Sequence, residues 1–543
     1  MYISYNEKNI TEEQRKLHNE KYIKTKLIEE KEYFDNMFKE IDKNIVLDEN
    51  QRRIILTDEK YTMVIAGAGS GKTTTIAAKV NYLIEKNKLN DNEIIIISFT
   101  NKAVEELKNR INNDFKHNVN VTTFHKLGYQ IIKENKKHPP KINTNDNILE
   151  NVIKKISAKQ SKKSNIIEKY LKIIINKIKN KIIGPKNNKN EQNELNIYKQ
   201  YISLYKSKLI ANNNTNQQIK TKQTYIEQIY NEYQKQLKHK NMIDFDDIIN
   251  EANKIIIKKQ QINFKYKYII IDEYQDISEN RYNLIQNISK KMNSKIMVVG
   301  DDWQCIYSFA ASNINLFTNF KNNVEYCEIL KIEKTYRNSQ QLIDIAGEFI
   351  QKNQKQIKKQ LTSNKKLENP ITLIIYKNNN SKEKNKIELQ SSLKTALEYI
   401  IKKYGTRKNI LILGRYKFDK NEILNNEIIE DKNNINKLIY KTHKEVKIEY
   451  LTVHSSKGLG YDNVILINAK NDKLGFPSKI ETNKLLKPLI IEDSEIKYAE
   501  ERRLFYVALT RTKNEILILT PKNNYSKFIK EIKNKCNIIR TKK

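Results

Sequence analysis

The sequence predicts an α/β protein of two tandem doubly wound domains with parallel sheets, the first interrupted by a helical insertion. Three observations carry that reading. From residue 61 to 125, apolar strands alternate with helical stretches, which is the rhythm of a parallel sheet. After a long interruption the same rhythm returns at Tyr266–Asp276 and Lys295–Gly300. Beyond about Leu330 it starts again and runs nearly to the end of the chain. Two such sheets in tandem make a cleft, and the ends of parallel strands are where ligands bind.

Residues 11–45 are charged, helical in period and without turn residues, so 1–45 reads as a helical lead-in. Residues 46–125 and 241–330 form the first domain. Its early elements are a strand at Thr62–Ala66, a helix at Thr73–Glu85 and a strand at Glu93–Thr100. A helix at Ala103–Asn112 and a strand at Val119–Phe124 follow. Residues 126–240 are rich in Lys, Asn, Gln and Ile and poor in Gly and Pro. They read as the helical insertion, with the polar tracts Lys186–Asn193 and Asn212–Gln218 as solvated loops. Residues 331–543 form the second domain, with strands at Ile371–Tyr376, Asn409–Gly414, Glu449–Val453, Asn463–Asn468 and Glu515–Thr520.

Two segments carry the chemistry. Met63–Thr74 is an apolar strand running into Ala66-Gly67-Ala68-Gly69-Ser70-Gly71-Lys72-Thr73-Thr74. The strict phosphate-loop pattern asks for Gly where Ala66 stands, yet Gly67, Gly69 and Gly71 still let backbone N–H groups wrap a phosphate at a helix N-terminus. Lys72 then neutralises the β- and γ-phosphates, and the Thr73 hydroxyl completes a Mg²⁺ shell. Ile269–Asp276 reads Ile-Ile-Ile-Asp-Glu-Tyr-Gln-Asp, a buried strand ending in two adjacent carboxylates. Asp272 is placed to hold Mg²⁺ and Glu273 to polarise a water. The pair describes an enzyme that hydrolyses ATP.

These residues resemble the UvrD/Rep-like superfamily 1 DNA helicases, with matches in family order over roughly residues 20–520. Leu47-Asp48-Glu49-Asn50-Gln51 resembles the glutamine motif that reads adenine. Phe99-Thr100-Asn101-Lys102-Ala103 and Thr123-Phe124-His125 resemble the DNA-touching motifs. Gly300 through Tyr307 is similar to the third motif and Thr335-Tyr336-Arg337 to the fourth. Thr452 through Leu459 resembles the fifth, and Glu500 through Arg511 the sixth. The Gly-Asp-Asp-Trp-Gln form at 300–304 and the Gly475-Phe476-Pro477 turn most resemble helicase IV-like members.

The resemblance implies two RecA-like lobes, with ATP and Mg²⁺ as cofactors. It implies movement along single-stranded DNA from 3′ to 5′ and unwinding of duplex, in repair, recombination or replication. Gln304 would hydrogen-bond the γ-phosphate or the attacking water, and Arg337 and Arg511 would reach it as arginine fingers from the second lobe. Leu504, Val507, Ala508 and Arg511 share one helical stripe, in line with a packed face beside the cleft. Tyr336 would stack on adenine. Phe99, Phe124, Tyr307 and Phe309 would stack on bases. Thr100, Asn101, Lys102, His125, His454 and Ser455 are polar groups of the kind that contact phosphate and sugar.

Three departures stand out. Ser308-Phe309-Ala310 replaces a family tryptophan flanked by arginines, Gly460 stands where a ribose-binding carboxylate is usual, and only about 115 residues separate Thr335 from Thr452. The last implies that the large regulatory insertion of UvrD and Rep is missing or vestigial. The alternative reading is a DNA-stimulated ATPase that strips proteins from DNA or regulates a repair complex.

Composition agrees with a polyanionic partner. Lys and Arg number 100 against 64 Asp and Glu, a formal net charge of +36. Expected partners are single-stranded DNA, its junctions with duplex, and repair or replication proteins, with the chain a monomer or weak dimer. Three scattered cysteines argue against a disulfide framework or a cysteine metal site. With no apolar leader and no run of about 18 apolar residues, the expectation is a cytoplasmic protein without a membrane anchor.

Overall fold

The computed structural model describes residues 1–5, 10–161, 188–208, 224–259, 263–490 and 496–540. The first lobe is built on β1 (Tyr61–Ala66), β2 (Ile94–Ser98) and β3 (Asn120–Thr123), then β6 (Tyr268–Ile271), β7 (Lys295–Gly300) and β8 (Glu328–Ile332). Between them, β4 (Lys141–Ile142) and β5 (Met242–Ile243) form a separate two-stranded ribbon beside the insertion. The main sheet has the order β3-β2-β6-β7-β1-β8, and every pairing is parallel. Its central strands are apolar throughout because both faces are covered. Met63, Ile65, Ile95, Ile97, Ile269 and Ile271 meet Leu127, Ile131, Ile249, Ile256 and Leu284 on one face. Val64, Ile94, Ile96, Ile270 and Met297 meet Ile54, Ile76, Val80, Val104 and Leu107 on the other.

The second lobe contains β9 (Ile371–Tyr376), β10 (Ile410–Gly414), β11 (Ile428–Glu430), β12 (Lys437–Tyr440), β13 (Ile448–Thr452), β14 (Asn463–Leu466), β15 (Ile516–Pro521) and β16 (Asn537–Arg540). Their order is β11-β12-β13-β10-β14-β15-β9-β16. The two lobes share a hydrophobic seam in which Ala68, Trp303 and Ile306 join Leu342, Phe349, Tyr506 and Leu509. Trp303 is fully buried there, edge-on to Tyr506 at 5.3 Å, and its Nε1 donates to the Ile357 carbonyl at 3.0 Å.

Five features differ from the sequence reading. The expectation of parallel sheets fails at one edge, where β11 and β12 pair antiparallel with each other and β12 with β13. Strand β8 went unforeseen because its residues alternate between half-buried and exposed and carry two charges. Phe124 opens the helix Phe124–Asn135 rather than closing a strand, since Thr123 caps that helix by accepting from the Lys126 N–H. That helix packs on Phe245–Lys258 of the first lobe, with Gly128 against Ile248, so the insertion proper starts after it. Residues 188–193 of the expected polar loop belong to the helix Asn188–Lys208, while Asn212–Gln218 lies outside the described residues. Between Thr335 and Thr452 the chain holds β9 to β12, most of β13 and the helix Lys382–Tyr404. Among the described residues no helix is long and apolar enough to cross a membrane.

The lead-in docks on the first lobe: Ile23, Phe34 and Phe38 pack with Leu47, Ile55, Ala78 and Tyr82. A buried ion pair fixes it, Arg15 to Glu59 at 3.0 Å, with the guanidinium also lying 3.9 Å from the Tyr326 ring centre. Removing one partner of a buried pair strands the other charge. Arg15→Met should therefore destabilise the first lobe by roughly 3–5 kcal/mol, measured as a lower urea midpoint.

Candidate active site and nucleic-acid interface

The loop after β1 turns through left-handed conformations at Gly69 (φ 69°) and Gly71 (φ 80°), then starts the helix Lys72–Glu85. Side chains rarely adopt that region, and a Cβ on Gly69 would also lie 2.4 Å from the Arg337 Cβ. The loop is gripped by the second lobe's first residues: Thr335 Oγ1 donates to the Ala68 carbonyl at 2.8 Å, and the Tyr336 N–H to the Gly69 carbonyl at 3.0 Å. Ala66, Gly67, Ala68 and Ser70 are buried, whereas Gly69, Gly71, Lys72, Thr73 and Thr74 are half-buried at the cleft. The first-turn N–H groups of the Lys72–Glu85 helix face that cleft as an anion site.

Opposite the loop, β6 ends at Asp272 and Glu273. Glu273 sits at φ 53°, a left-handed backbone unusual for a side chain and costing about 1–3 kcal/mol. Its carboxylate lies 3.5 Å from Lys72 Nζ and 3.7 Å from Lys457 Nζ, and it accepts from Gln275 Nε2 at 2.5 Å. Burial pushes Glu273 upward, but Lys72 and then Lys457 outweigh it and hold the group at about 2. Asp272 goes the other way, raised to about 7 by burial and then by the neighbouring Glu273 charge. The buried Asp272 Oδ1 has no hydrogen-bond partner, a vacancy that a cation held with Thr73 would fill. One carboxylate and one hydroxyl fit Mg²⁺, which keeps waters and phosphate oxygens as its other ligands. Among the described residues no cluster of three His, Cys, Asp or Glu offers another metal site.

The second lobe contributes two arginines. Arg511 follows the helix Ala499–Leu509 and is fully buried. Its Nε donates to the Val507 carbonyl at 2.8 Å and Nη1 to the Leu459 carbonyl at 3.0 Å. Nη2 donates to Gln304 Oε1 and to Thr510 Oγ1, both at 3.1 Å. It thus closes the helix end and meets the third motif at once. Burial, then the Arg337 charge, lowers it to about 9. The stripe expected on its helix is not one-sided, because Arg502 to Leu509 are buried all round. Arg337 makes one long bond, Nη2 to the Gly458 carbonyl at 3.4 Å. Gly460 gives it room: a Cβ there would lie 3.0 Å from the Arg337 Nε. Among the described residues neither arginine is paired with a carboxylate.

Tyr336 is 50% exposed beside Gly71, its hydroxyl donating to Asp48 at 3.1 Å. Gln51 lies under the same loop, but its amide is committed: it caps its own helix against Asp48 and donates to Thr75 Oγ1 at 3.0 Å. Gln304 is held on both sides, by Arg511 and by its own donation to Asp301 Oδ2 at 2.6 Å.

On the strand side of the first lobe, Thr100, Asn101 and Lys102 are exposed at a helix start. Phe99 is half-buried, but Phe124 is only 2% exposed and lies beneath Phe99, 5.2 Å away. Phe124 is therefore core, which corrects its expected role as a base platform. At the seam Phe309 is 44% exposed and stands edge-on to His454 at 5.6 Å, while the Tyr307 hydroxyl donates to the His454 carbonyl at 3.2 Å. Burial pushes both His125 and His454 down to about 4. Ser455 is exposed, its N–H donating to Thr452 Oγ1 at 3.2 Å.

Sequence reasoning gave no role to four residues that organise this site. Lys457 bridges the lobes, bonded to Asp276 and lying 5.1 Å from the Tyr307 ring centre. Gln275 is fully buried, aims Glu273 and accepts from the Asp301 N–H at 2.9 Å. Asp301 orients Gln304, and Lys359 pairs with Asp301 and Asp302 in turn. Lys457 and Asp301 lay within recognised motifs; Lys359, one lysine among many, carried no signal.

Two facing α/β lobes, a phosphate loop and a pair of cleft carboxylates define a P-loop nucleoside-triphosphate hydrolase. The chain belongs to the UvrD/REP helicase family: residues 47–325 match the UvrD/REP helicase N-terminal domain and residues 417–523 the UvrD-like helicase C-terminal domain. It is similar to DNA helicase IV of Escherichia coli (strain K12), with 27% identity over 96% of this chain and 74% of that one. It is 32% identical to the ATP-dependent DNA helicase Rep of Buchnera aphidicola subsp. Schizaphis graminum over 63% of this chain and 49% of that protein. A probable DNA helicase II homolog of Mycoplasma capricolum is 29% identical over 68% of this chain and 49% of its own. The chain thus spans about half the length of the latter two relatives.

Lys457 reaches Glu273 and Asp276 but lies outside the phosphate loop. Lys457→Met should lower kcat for ATP by roughly 10–10³-fold and leave KM for ATP within a few-fold. A steady-state titration with ATP at saturating DNA measures both.

Proposed function

We propose that the protein is an ATP-driven motor on single-stranded DNA that moves 3′ to 5′ and unwinds duplex ahead of it. The observation that carries this reading is that the second lobe reaches the first at the phosphate loop: Arg511 donates to Gln304, and Lys457 lies 3.7 Å from Glu273, which itself lies 3.5 Å from Lys72. ATP is the substrate, its adenine between Gln51 and Tyr336 and its phosphates in the turn Ala66 to Thr74. Thr73 and Asp272 would hold Mg²⁺, which when bound offsets phosphate charge and fixes the γ-phosphate for in-line attack. Glu273, kept ionised by Lys72 and Lys457, takes the proton of the attacking water. Gln304 orients that water or the γ-phosphate, and Arg337 and Arg511 offset the charge that develops on it.

Because two of these groups belong to each lobe, the site is complete only when the lobes are together. Hydrolysis removes the anion that holds them, and the lobes relax. The strand lies along Phe99 to Lys102 and His125 of one lobe and His454 and Ser455 of the other, with Tyr307 and Phe309 at the seam. Tyr307 links the two functions, since its hydroxyl meets His454 while Lys457 lies on its ring. Alternating grip by the lobes advances the strand. The reading places the protein in the cytoplasm, in DNA repair, recombination or replication, as a monomer or weak dimer acting on single strands and their duplex junctions.

The test is the ATPase rate with single-stranded DNA, duplex, RNA and no nucleic acid, beside strand displacement from 3′-tailed and 5′-tailed duplexes. The reading expects stimulation by single-stranded DNA and displacement only with the 3′ tail. Stimulation without displacement would favour protein stripping or a regulatory role. Glu273→Gln should bind ATP and DNA yet lose nearly all turnover, because an amide accepts no proton; Lys72→Ala should lose turnover by on the order of 10²–10³ or more. Turnover by Glu273→Gln at the unmodified rate would remove Glu273 from the chemistry.

A further inference from the structure

Each lobe sets the C-terminal ends of two neighbouring parallel strands side by side, and the same three kinds of side chain recur there. In the first lobe β2 is followed by Phe99, adjacent β3 is followed by Phe124 and His125, and Arg281 lies 5.4 Å from the Phe99 ring centre. In the second, β13 is followed by His454, and adjacent, parallel β10 ends in Gly414-Arg415-Tyr416-Lys417-Phe418. Arg415 lies 4.8 Å from the Tyr416 ring centre, and Tyr416 stacks on Phe418 at 4.9 Å with 8° between the planes. Only the β10 end has no function in the account so far.

The Tyr416 ring thus has both the Arg415 guanidinium and the Phe418 ring against it, and Phe418 is 46% exposed. The stack is held from below. Arg415 forks onto Glu501 at 2.5–3.2 Å, the Tyr416 hydroxyl donates to Ser478 Oγ at 2.7 Å, and the Tyr450 hydroxyl donates to the Tyr416 carbonyl at 2.6 Å. Asp419 accepts the Tyr416 N–H at 2.9 Å and is itself held by Asn468 at 3.1 Å. A ring fixed in place this way loses little freedom when something stacks on it. Lys417, between the two aromatic residues in sequence, is exposed and makes no ion pair among the described residues, which suits a phosphate beside a stacked base.

We propose that Phe418, backed by Tyr416 and Arg415, is a base-stacking platform of the second lobe that takes a nucleobase of the single strand leaving His454 and Ser455. The inference rests on the nucleic-acid reading above. It adds a grip on the second lobe to match the one at Phe99, which a motor alternating between lobes requires.

The experiment is fluorescence anisotropy with a labelled oligothymidylate and a labelled duplex at one fixed salt concentration. Phe418→Ala should weaken oligothymidylate binding roughly five- to 150-fold, the loss of one base–aromatic stack, with duplex binding unchanged. Phe418→Trp should bind at least as well as the unmodified protein. Ile387→Ala, an exposed apolar residue on the helix Lys382–Tyr404, is the control and should change neither. Unchanged oligothymidylate binding by Phe418→Ala, or equal weakening for duplex, would overturn the platform. Failure of the unmodified protein to bind oligothymidylate would overturn the nucleic-acid reading itself, and the platform with it.

Discussion

Cationic groups outnumber their partners at the seam between the lobes, and the rest of the site is arranged around that imbalance. Arg511 is fully buried and has no carboxylate partner; its hydrogen bonds go to carbonyls, a hydroxyl and an amide. Arg337 has one long bond to a carbonyl, and Lys72 lies 3.5 Å from a carboxylate it shares with Lys457. Taking a charge out of water costs several kcal/mol unless something of opposite sign compensates. Arrays of this kind persist where a ligand brings the missing anion, and a triphosphate brings more negative charge than any single side chain. Gly460 belongs to the same logic. A carboxylate at that position would have partnered Arg337, whereas glycine leaves the guanidinium free and makes room for it.

The imbalance explains why the lobes are joined through polar side chains at this point and through apolar ones elsewhere. Trp303, Ile306 and Ala68 give the seam a hydrophobic floor. Above it the links are polar. Lys457 holds Asp276, Ser308 donates its hydroxyl to Glu500, and Arg503 donates to the Cys305 carbonyl at 2.5 Å. Each runs from a first-lobe segment after β6 or β7 to a second-lobe motif. Glu273 is thus one side chain away from Tyr307, since Lys457 lies 3.7 Å from the Glu273 carboxylate and 5.1 Å from the Tyr307 ring centre, and the Tyr307 hydroxyl meets the His454 carbonyl.

How far the sequence foretold this follows from the range of the forces involved. The turn Ala66–Thr74 and the pair Asp272–Glu273 were legible because strand, turn and chemistry are contiguous there. Arg337 and Arg511 were legible as motif members, but their meeting with Gln304 and Gly460 depends on how two sheets pack. Phe124 was misjudged because Thr123 caps a helix one residue later, turning the ring under Phe99 into the core. Strands β11 and β12 were missed because three- and four-residue strands with polar neighbours carry too little periodicity. Lys359 was hidden by composition: in a chain with 100 basic residues, a lysine outside every motif looks like all the others until burial singles it out.

The claim that the buried arginines exist to meet a phosphate can be tested without catalysis. The rise in melting temperature produced by Mg²⁺ and a non-hydrolysable ATP analogue should be measured for the unmodified protein and for Arg511→Met at the same ligand concentrations. A ligand bound only to the folded state at about 100 times its Kd adds ~2.7 kcal/mol, which is readily seen as a shift. The account predicts that the unmodified protein gains that shift and that Arg511→Met loses most of it while remaining folded without nucleotide. An equal rise in both proteins would show that Arg511 does not meet the phosphates, and would contradict the account.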